Sequence, residues 1–383
     1  MSTPRVDDEV RVLYVTGGRR IGGMESHLLI LASNLPPSIR CVVCCLDASP
    51  DYLARLTDLG IEHTNLDCPN VLRPSVLRAY RRLTRVVRRF DPHVVHSYGF
   101  SADVIAALLR LGGGKARLIT SRRGEEPYVR RQVILRLINR LSDRIVCVSA
   151  ETAAFANATE SPPSRLLEVI PNGVELHLAE DRPRAHNPES IRFGTLGTVK
   201  PIKGTDLLVD AFMRFEPERR VELVIAGLID RPWAEALRER ARADARIRFI
   251  GRSSAPRDFL AGLDVFVLPS RSEGMSNALL EAMASGLPCI ATDVGSNRSV
   301  LCPAPGSPGG VIAEAAVDSL FRAMCAMAES PADRSRYGAQ GADTVRSRHS
   351  VRDMVTAYER LYRSVVGGRP SAPALAQEPY VTE

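Results

Sequence analysis

The stretch DVFVLPSRSEGMSNALLEAMASGLPCIATDVG, residues 264–295, reads as a buried strand, a polar loop, a helix and a second strand. Its apolar runs are short and nearly continuous, which is typical of parallel strands covered on both faces. Glu273 lies in the loop and Glu281 in the helix, with seven residues between them. Parallel sheets bind ligands at the carboxyl ends of their strands, and helix N-termini attract anions. The stretch therefore predicts a site for a diphosphate flanked by two acids that bind hydroxyl groups.

This alternation of strand and helix recurs along the chain. It predicts an α/β protein in which two Rossmann-like parallel-sheet domains face each other across a cleft, followed by C-terminal helices. The first domain is predicted over residues 1–178 and the second over 191–366. The polar, proline-bearing segment 179–190 is predicted to be a linker. The Pro/Ala/Gly-rich tail 367–383 is predicted to be disordered.

Composition restricts the class of protein. In 383 residues, no apolar run reaches the ~18–20 residues that a membrane-spanning helix needs, and the N-terminal residues lack a signal-peptide layout, so we expect a cytoplasmic protein. Eight cysteines form no disulfide pattern, and Cys41 and Cys44 lie in an apolar strand, where we expect core side chains. Residues 1–187 hold 26 basic and 20 acidic residues and so carry +6 of the net charge of +7.

Much of that charge lies in residues 75–90, SVLRAYRRLTRVVRRF, where apolar residues recur at helical spacing. The other side of the predicted helix carries six arginines: Arg78, Arg81, Arg82, Arg85, Arg88 and Arg89. Two interpretations remain open, a solvated face or a contact with the anionic cytoplasmic face of a membrane. Nucleic acid is not expected, because aromatic residues make up only 5% of the chain and no nucleic-acid-binding motif occurs.

Four motifs in order resemble one known family. They are GGMESHLLILASNL (22–35), IPNGVE (170–175), GTLGTVKPIKGTDLLVDAF (194–212) and the E-x7-E element in residues 270–295. Together they resemble the retaining glycosyltransferases with the GT-B fold, of the group 1 or family 4 type. The resemblance implies transfer of a sugar from a UDP- or GDP-sugar to a glycan, a lipid-linked acceptor or a small molecule. Cell-surface polysaccharide or glycolipid synthesis is the implied setting, with the acceptor on the first domain and the donor on the second.

The resemblance also implies roles for residues of the second domain. Glu273 would contact the donor sugar, and Glu281 would bind the ribose hydroxyls. Lys203 would stabilise the departing diphosphate, since a positioned cation offsets the charge that develops there. Thr198 stands where the family usually has an arginine. One of the two cations that usually bind the diphosphate is therefore missing, and Lys200 is a candidate substitute. The predicted helix start places three further residues near the diphosphate: Ser276, Asn277 and Ala278.

In the first domain, Gly22 and Gly23 precede a helix at the end of the first strand, where glycines let the backbone approach a ligand. The resemblance places this loop near the phosphate and the acceptor. It also implies a histidine at the end of the strand HVVHSYG, beside the donor sugar. Tyr98 occupies that position here, with His96 two residues earlier on the same strand face. Both are candidate catalytic residues.

No cofactor or metal is expected, because the nucleotide sugar is a co-substrate and no D-x-D triplet occurs. No G-x-G-x-x-G follows a strand, which disfavours dinucleotide binding. Two alternatives to transfer remain open: a nucleotide-sugar epimerase of the same fold, and a non-catalytic module that binds nucleotide sugars. Thr198 and Tyr98 are the departures that keep the non-catalytic reading open.

Overall fold

The computed structural model of the protein describes residues 9–176, 190–229, 231–253, 255–304, 306 and 308–368. The described residues form two compact units, one of residues 9–173 with 351–368 and one of residues between 174 and 350. The predicted linker, except residue 190, and the predicted tail beyond residue 368 lie outside the described residues.

The first unit is built on seven parallel strands in the order β3-β2-β1-β4-β5-β6-β7. Most strands are Val- and Ile-rich runs with both faces covered, as the sequence predicts. The strand order reverses between β1 and β4, which places the topological switch point at their carboxyl ends. The strands are β1 (Val10–Thr16), β2 (Ile39–Cys45), β3 (His63–Asn65), β4 (Val94–Tyr98), β5 (Arg117–Arg122), β6 (Arg144–Cys147) and β7 (Leu167–Val169).

Helices cover both faces of this sheet. The helices are α1 (Gly23–Ser33), α2 (Pro50–Asp58), α3 (Ser75–Phe90), α4 (Phe100–Leu111), α5 (Val129–Asn139), α6 (Ala150–Glu160) and, from the end of the chain, α14 (Val351–Val366). One core contains buried side chains of α1, α2 and α14, and a second core contains those of α3 and α4. Helix α5 packs against α4. Helices α3, α4 and α5 therefore form one outer layer.

The second unit has six parallel strands in the order β10-β9-β8-β11-β12-β13. They are β8 (Ile191–Leu196), β9 (Val221–Ala226), β10 (Ile247–Gly251), β11 (Val265–Leu268), β12 (Cys289–Thr292) and β13 (Gly310–Ala313). Its helices are α7 (Thr205–Phe212), α8 (Pro232–Ala241), α9 (Pro256–Ala261), α10 (Asn277–Ala284), α11 (Asn297–Leu301), α12 (Val317–Glu329) and α13 (Pro331–Arg348). Two cores, one on each face, hold the helices to the sheet.

Helix α14 differs from the sequence-based division, which placed residues up to 366 in the second domain. Its buried side chains, Tyr358 and Tyr362 among them, belong to the core that also contains β1 and α1. The Tyr362 hydroxyl lies 3.0 Å from the Tyr14 hydroxyl and 2.9 Å from His96 Nδ1. A helix packs where its apolar face is buried, whatever its place in the sequence, so α14 belongs to the first unit.

Helix α3 has the two faces that its sequence predicts. Ala79, Leu83 and Phe90 are buried, and Val76, Tyr80 and Val87 pack against the same core. The six predicted arginines are exposed. Arg82 pairs with Asp67, and Arg89 Nη2 lies 3.4 Å from Glu62 Oε1.

Candidate active site

Loops from two neighbouring central strands meet in the second unit. Strands β8 and β11 are paired in the middle of the sheet, and the strand order reverses between them. The carboxyl ends of such strands form the crevice in which open α/β sheets bind ligands. The segment 197–204 leaves β8 there, and the segment 269–276 leaves β11. The predicted motifs around Lys203 and Glu273 therefore lie at the switch point.

Two glycines hold these loops close together. Gly204 has a φ of +62°, and a Cβ on it would lie 1.9 Å from the Pro269 carbonyl oxygen. Gly295, in the loop after β12, has a φ of +53°, and a Cβ there would lie 2.1 Å from the Glu273 carbonyl oxygen. Only glycine combines a left-handed backbone with so close an approach. The backbone on either side of Glu273 is thereby fixed.

The structure brings Lys203 and Glu273 together. Lys203 Nζ lies 2.7 Å from Glu273 Oε1, and the Ser270 hydroxyl donates to the same oxygen at 2.6 Å. The Glu273 side chain is 8% exposed and that of Lys203 is 37% exposed. The carboxylate is thus oriented by two donors, while the ammonium group remains accessible to a second anion.

Arg271 holds the Lys203 loop in place, a role that the sequence reasoning missed. Its guanidinium group makes a bidentate contact with Asp206, at 2.7 Å for both nitrogen–oxygen pairs, and donates to the Pro201 carbonyl at 2.7 Å. Its backbone N–H donates to the Ile202 carbonyl at 2.8 Å. A planar guanidinium suits such a fork. A signal was present, because Arg271 directly precedes the Ser-Glu of the acidic motif.

Helix α10 starts as predicted. Ser276 is its N-cap, and its hydroxyl accepts from the Leu279 N–H at 3.3 Å. Asn277 and Ala278 are the first two residues of the helix, whose N-terminal end carries partial positive charge. The N-terminus of α10 follows Glu273 by four residues, so helix-terminal donors and the Lys203–Glu273 pair lie in one loop region.

Glu281 occupies the partly buried side of α10. Burial raises the pKa of its carboxyl from 4.5 to about 7. Its carboxylate forms no hydrogen bond or ion pair with the residues that the structure describes. An acid that is withdrawn from water without a partner lowers stability, so such an acid is a candidate ligand-binding group.

Two further predicted donor-binding residues, Thr198 and Lys200, lie in the same loop as Lys203. Lys200 is exposed and precedes the 3₁₀ turn Pro201–Lys203, whereas Thr198 is half-buried. The chain has only three lysines among its 51 basic residues, at positions 115, 200 and 203. Two of the three lie in this loop, in a chain that otherwise uses arginine. A compact ammonium, rather than a guanidinium fork, is thus what this loop presents.

In the first unit, Gly22 and Gly23 lie at the switch point beyond β1. Gly22 is the N-cap of α1, and both glycines are exposed. The Gly22 N–H donates to the Glu25 carboxylate at 3.3 Å. Burial raises the pKa of Glu25, while backbone donors, including Gly18 and Gly22, oppose that rise. The N-terminus of α1 therefore already binds a carboxylate of the protein itself, that of Glu25.

His96 and Tyr98 lie on the same strand face, as predicted, but they are core residues. Both are buried, with ring centroids 4.6 Å apart, among aromatic side chains of β1 and α14. His96 Nε2 contacts the Ser121 hydroxyl at 2.8 Å, and burial followed by the charge of Arg123 lowers the pKa of His96 to about 3. This placement differs from the prediction that they line a substrate site, because α1 and α14 cover that face of the sheet. Their surroundings support a structural role.

The part of the chain that the structure describes has neither a cluster of metal-ligating side chains nor a membrane-spanning helix. No group of three or more His, Cys, Asp or Glu side chains within it is arranged to hold a metal ion. None of its helices combines the length and the apolar composition needed to cross a membrane.

Comparison with known families covers both units. The model of the Glycosyltransferase Family 4 matches residues 21–178, and that of the glycosyl transferases group 1 matches residues 190–330. The two matches follow each other along the chain and contain every motif named above. The chain belongs to the GT-B glycosyltransferases. This confirms the predicted GT-B glycosyltransferase family and the enzyme class, a glycosyltransferase.

Relatives agree with this assignment. The lipopolysaccharide core biosynthesis mannosyltransferase LpsB of Rhizobium meliloti (strain 1021) is 32% identical over 227 residues, which cover 54% of this chain and 60% of LpsB. LpcC of Rhizobium leguminosarum bv. viciae, with the same description, is 28% identical over 61% of this chain and 68% of LpcC. The matched part thus spans less than two thirds of LpsB.

Solved structures show the same fold. Anabaena Alr3699/HepE, solved in complex with UDP and glucose, superposes with a TM-score of 0.79 at 16% identity, covering 93% of this chain and all of HepE. The sucrose-phosphate synthase of Thermosynechococcus elongatus gives a TM-score of 0.81 at 15% identity, over 94% and 100% of the two chains. These similarities confirm the predicted fold class, two Rossmann-like parallel-sheet domains with additional helices.

The burial of Glu281 in this glycosyltransferase leads to a prediction about stability and pH. In the unfolded chain the carboxyl titrates near 4.5, and in the folded chain near 7. Between these values the folded state binds more protons, so the free energy of unfolding falls as pH rises from 4.5 to 7. Replacing Glu281 with Gln removes this loss. We expect the variant to gain roughly 1–3 kcal/mol over the wild type between pH 4.5 and pH 8, measured by urea unfolding. An equal difference at both pH values would contradict the placement.

Proposed function

We propose that this enzyme transfers a hexose from a nucleoside diphosphate sugar to an acceptor hydroxyl with retention of the anomeric configuration. The observation that carries the proposal is the Lys203–Glu273 pair at the β8–β11 switch point, in which Glu273 lies four residues before the start of α10. The pair combines an accessible cation with an oriented carboxylate beside a helix N-terminus. A diphosphate attached to a polyhydroxylated sugar matches both groups, because the diphosphate pairs with the ammonium and the sugar hydroxyls donate hydrogen bonds to the carboxylate.

Each residue of the site has a proposed task. Lys203 and the first amides of α10 bind the diphosphate, whose negative charge increases as the bond to the sugar C1 breaks. Glu273 binds donor sugar hydroxyls, and Glu281 binds the ribose hydroxyls. Gly22 and Gly23 let the first-unit backbone approach the substrates. Lys200 adds positive charge where the family's arginine is replaced by Thr198.

The proposed reaction balances without a further reagent. The bond between C1 and the diphosphate oxygen breaks, and the acceptor oxygen forms a bond to C1 on the same face of the sugar. The acceptor's proton goes to an oxygen of the departing diphosphate. This assignment requires no side-chain base, which is consistent with His96, because that residue is buried and its pKa of about 3 makes it a weak base.

The relatives suggest the substrate class. HepE was solved with UDP and glucose, and a Corynebacterium glutamicum relative, 26% identical over 84% of this chain, is described as GDP-mannose-dependent. LpsB and LpcC are described as acting in lipopolysaccharide core synthesis. We propose a UDP- or GDP-hexose donor and a glycan or lipid-linked acceptor in cell-surface polysaccharide or glycolipid synthesis.

A lipid-linked acceptor would place the enzyme at the cytoplasmic face of a membrane. The arginine face of α3 supports this location, since each basic residue near an anionic bilayer contributes about 1 kcal/mol of attraction. Arg78, Arg81, Arg85 and Arg88 form no ion pair with the described residues, so their charges remain available.

We propose that no metal takes part, because Lys203 and helix amides supply the positive charge that a metal would supply. Transfer measured with and without EDTA tests this point. We expect equal rates. A loss of activity with EDTA that Mg²⁺ or Mn²⁺ restores would contradict it.

The experiment that tests the function is a transfer reaction followed by NMR of the product. Purified protein is incubated with UDP- or GDP-hexose and a panel of sugar and lipid-linked acceptors. We expect an α-linked product from an α-linked donor, and no conversion of the sugar when the acceptor is omitted. Conversion of the donor sugar without acceptor would indicate an epimerase. Saturable nucleotide binding without transfer to any acceptor would indicate a non-catalytic module.

A further inference from the structure

Helix α5 carries apolar side chains on its exposed side. Five such side chains, here named the α5 apolar stripe, lie within ten residues of sequence. They are Tyr128 (61% exposed), Val129 (70%), Val133 (50%), Ile134 (37%) and Leu137 (55%). Val129, Val133 and Leu137 are spaced by four residues, so they line up along the helix. Patches of this kind on a folded surface mark a contact with a partner or a membrane.

The stripe is not needed to fold the helix. The opposite side of α5 buries Leu135 and Ile138 in a cluster shared with Ala107 of α4. On α4, two more exposed apolar side chains, Leu108 and Leu111, enlarge the apolar surface of this helix pair. The helix is therefore apolar on its packed side and also along part of its solvent side.

The charged residues of α5 itself all have one sign. Residues 127–142 contain four arginines and no acidic residue. The four are Arg130, Arg131, Arg136 and Arg140, and all are exposed. Only Arg131 forms an ion pair with a described residue, Glu126, at 3.4 Å. Its guanidinium also lies 4.9 Å from the ring centroids of Tyr128 and Phe100.

The neighbouring surface has the same sign. Helix α3, with its six exposed arginines, lies in the same outer layer and packs into the same core as α4. Its exposed side carries one large apolar residue, Leu77. The layer thus combines a broad basic surface on α3 with a basic and apolar surface on α5. A short amphipathic helix that lies in the interface of an anionic membrane has the composition of α5.

We propose that the α5 apolar stripe inserts into the interfacial region of an anionic lipid bilayer, while its arginines and those of α3 bind the lipid phosphates. The proposal rests on the structure of the first unit and does not depend on the donor site. It differs from a purely electrostatic attachment because it assigns the inserted element and its side chains. A second copy of the chain is a poorer occupant, since a symmetric contact through α5 would place arginines against arginines.

The test uses the full chain and vesicles of phosphatidylcholine with and without phosphatidylglycerol, separated by sedimentation. We expect the wild type to pellet with the anionic vesicles. The double variant Val133→Ser/Leu137→Ser should bind them about tenfold more weakly or worse, because it removes inserted apolar side chains. The variant Arg130→Gln/Arg136→Gln should also bind more weakly, and its remaining binding should depend less on salt.

The matched control replaces two exposed apolar residues elsewhere, Met213→Ser/Ile250→Ser, and should pellet as the wild type does. Because all substituted residues are exposed, unchanged thermal unfolding checks that each variant is folded. Three results would overturn the proposal: no pelleting of the wild type, equal pelleting with neutral vesicles, or full binding by Val133→Ser/Leu137→Ser. Concentration-dependent dimerisation that the serine variant abolishes, without vesicle binding, would instead assign the stripe to a second copy.

Discussion

Replacing Glu273 with Gln should lower kcat for sugar transfer by about a hundredfold to a thousandfold, the effect expected when a preorganised polar group of a reaction site is lost. The substitution keeps the size of the side chain but removes its charge. In the structure, the Glu273 carboxylate accepts hydrogen bonds from Lys203 at 2.7 Å and from Ser270 at 2.6 Å. The change therefore weakens both the proposed sugar contact and the orientation of Lys203. Initial rates under saturating donor measure it.

A control for this result is Glu222→Gln, which removes a partly exposed ion pair with Arg192 in the same unit. Its side chain lies on β9, away from the β8 and β11 loops, so we expect its turnover to be close to that of the wild type. If Glu273→Gln were fully active, the assignment of the site would be wrong. If both variants lost activity equally, the loss would reflect general damage to the unit.

Replacing Lys203 with Ala should lower kcat by a comparable factor, about a hundredfold or more. The ammonium group is the cation that the proposal places on the departing diphosphate. Its removal also leaves Glu273, which is 8% exposed, without its partner. That carboxylate would then repel the diphosphate, so we also expect the donor KM to rise. Steady-state kinetics with varied donor concentration separate the two effects.

Lys115→Ala is the matched control, because Lys115 is exposed and lies in the first unit, remote in sequence from every motif. We expect it to behave as the wild type. The variant Lys203→Arg adds a further comparison. Since guanidinium and ammonium differ in shape, we expect it to recover only part of the lost turnover. Wild-type kinetics for Lys203→Ala would contradict the role of this lysine in the reaction.

Much of the second unit could be predicted from sequence, because its signals are local. The strand before Glu273 is a continuous apolar run, and Ser276 is a favourable N-cap three residues later, so loop and helix start were predictable. The proximity of Lys203 and Glu273, 70 residues apart, followed from the rule that loops at the carboxyl ends of neighbouring parallel strands meet. The structure supplies what that rule lacks, a direct ion pair and the two glycines that hold the loops together.

Other features depended on contacts between distant parts of the chain. Helix α14 has no sequence signal that assigns it to a unit, and its tyrosines bury His96 and Tyr98 from a position more than 250 residues later. The contacts by which Arg271 holds the Lys203 loop in place depend on Asp206, 65 residues earlier. Short edge strands such as β3 and β13 are not predictable from the sequence, since three or four residues carry too little pattern.

In the proposed mechanism, the second unit binds a nucleoside diphosphate sugar through the Lys203–Glu273 loops and Glu281. Calorimetric titration of the purified protein with UDP, GDP, their hexose derivatives and the matching monophosphates tests it most directly. We expect saturable binding of one diphosphate series, weaker binding of its monophosphate, and a large loss of affinity in Glu281→Ala. The proposed mechanism would be contradicted if no diphosphate bound, or if Glu281→Ala bound the same ligand as tightly as the wild type.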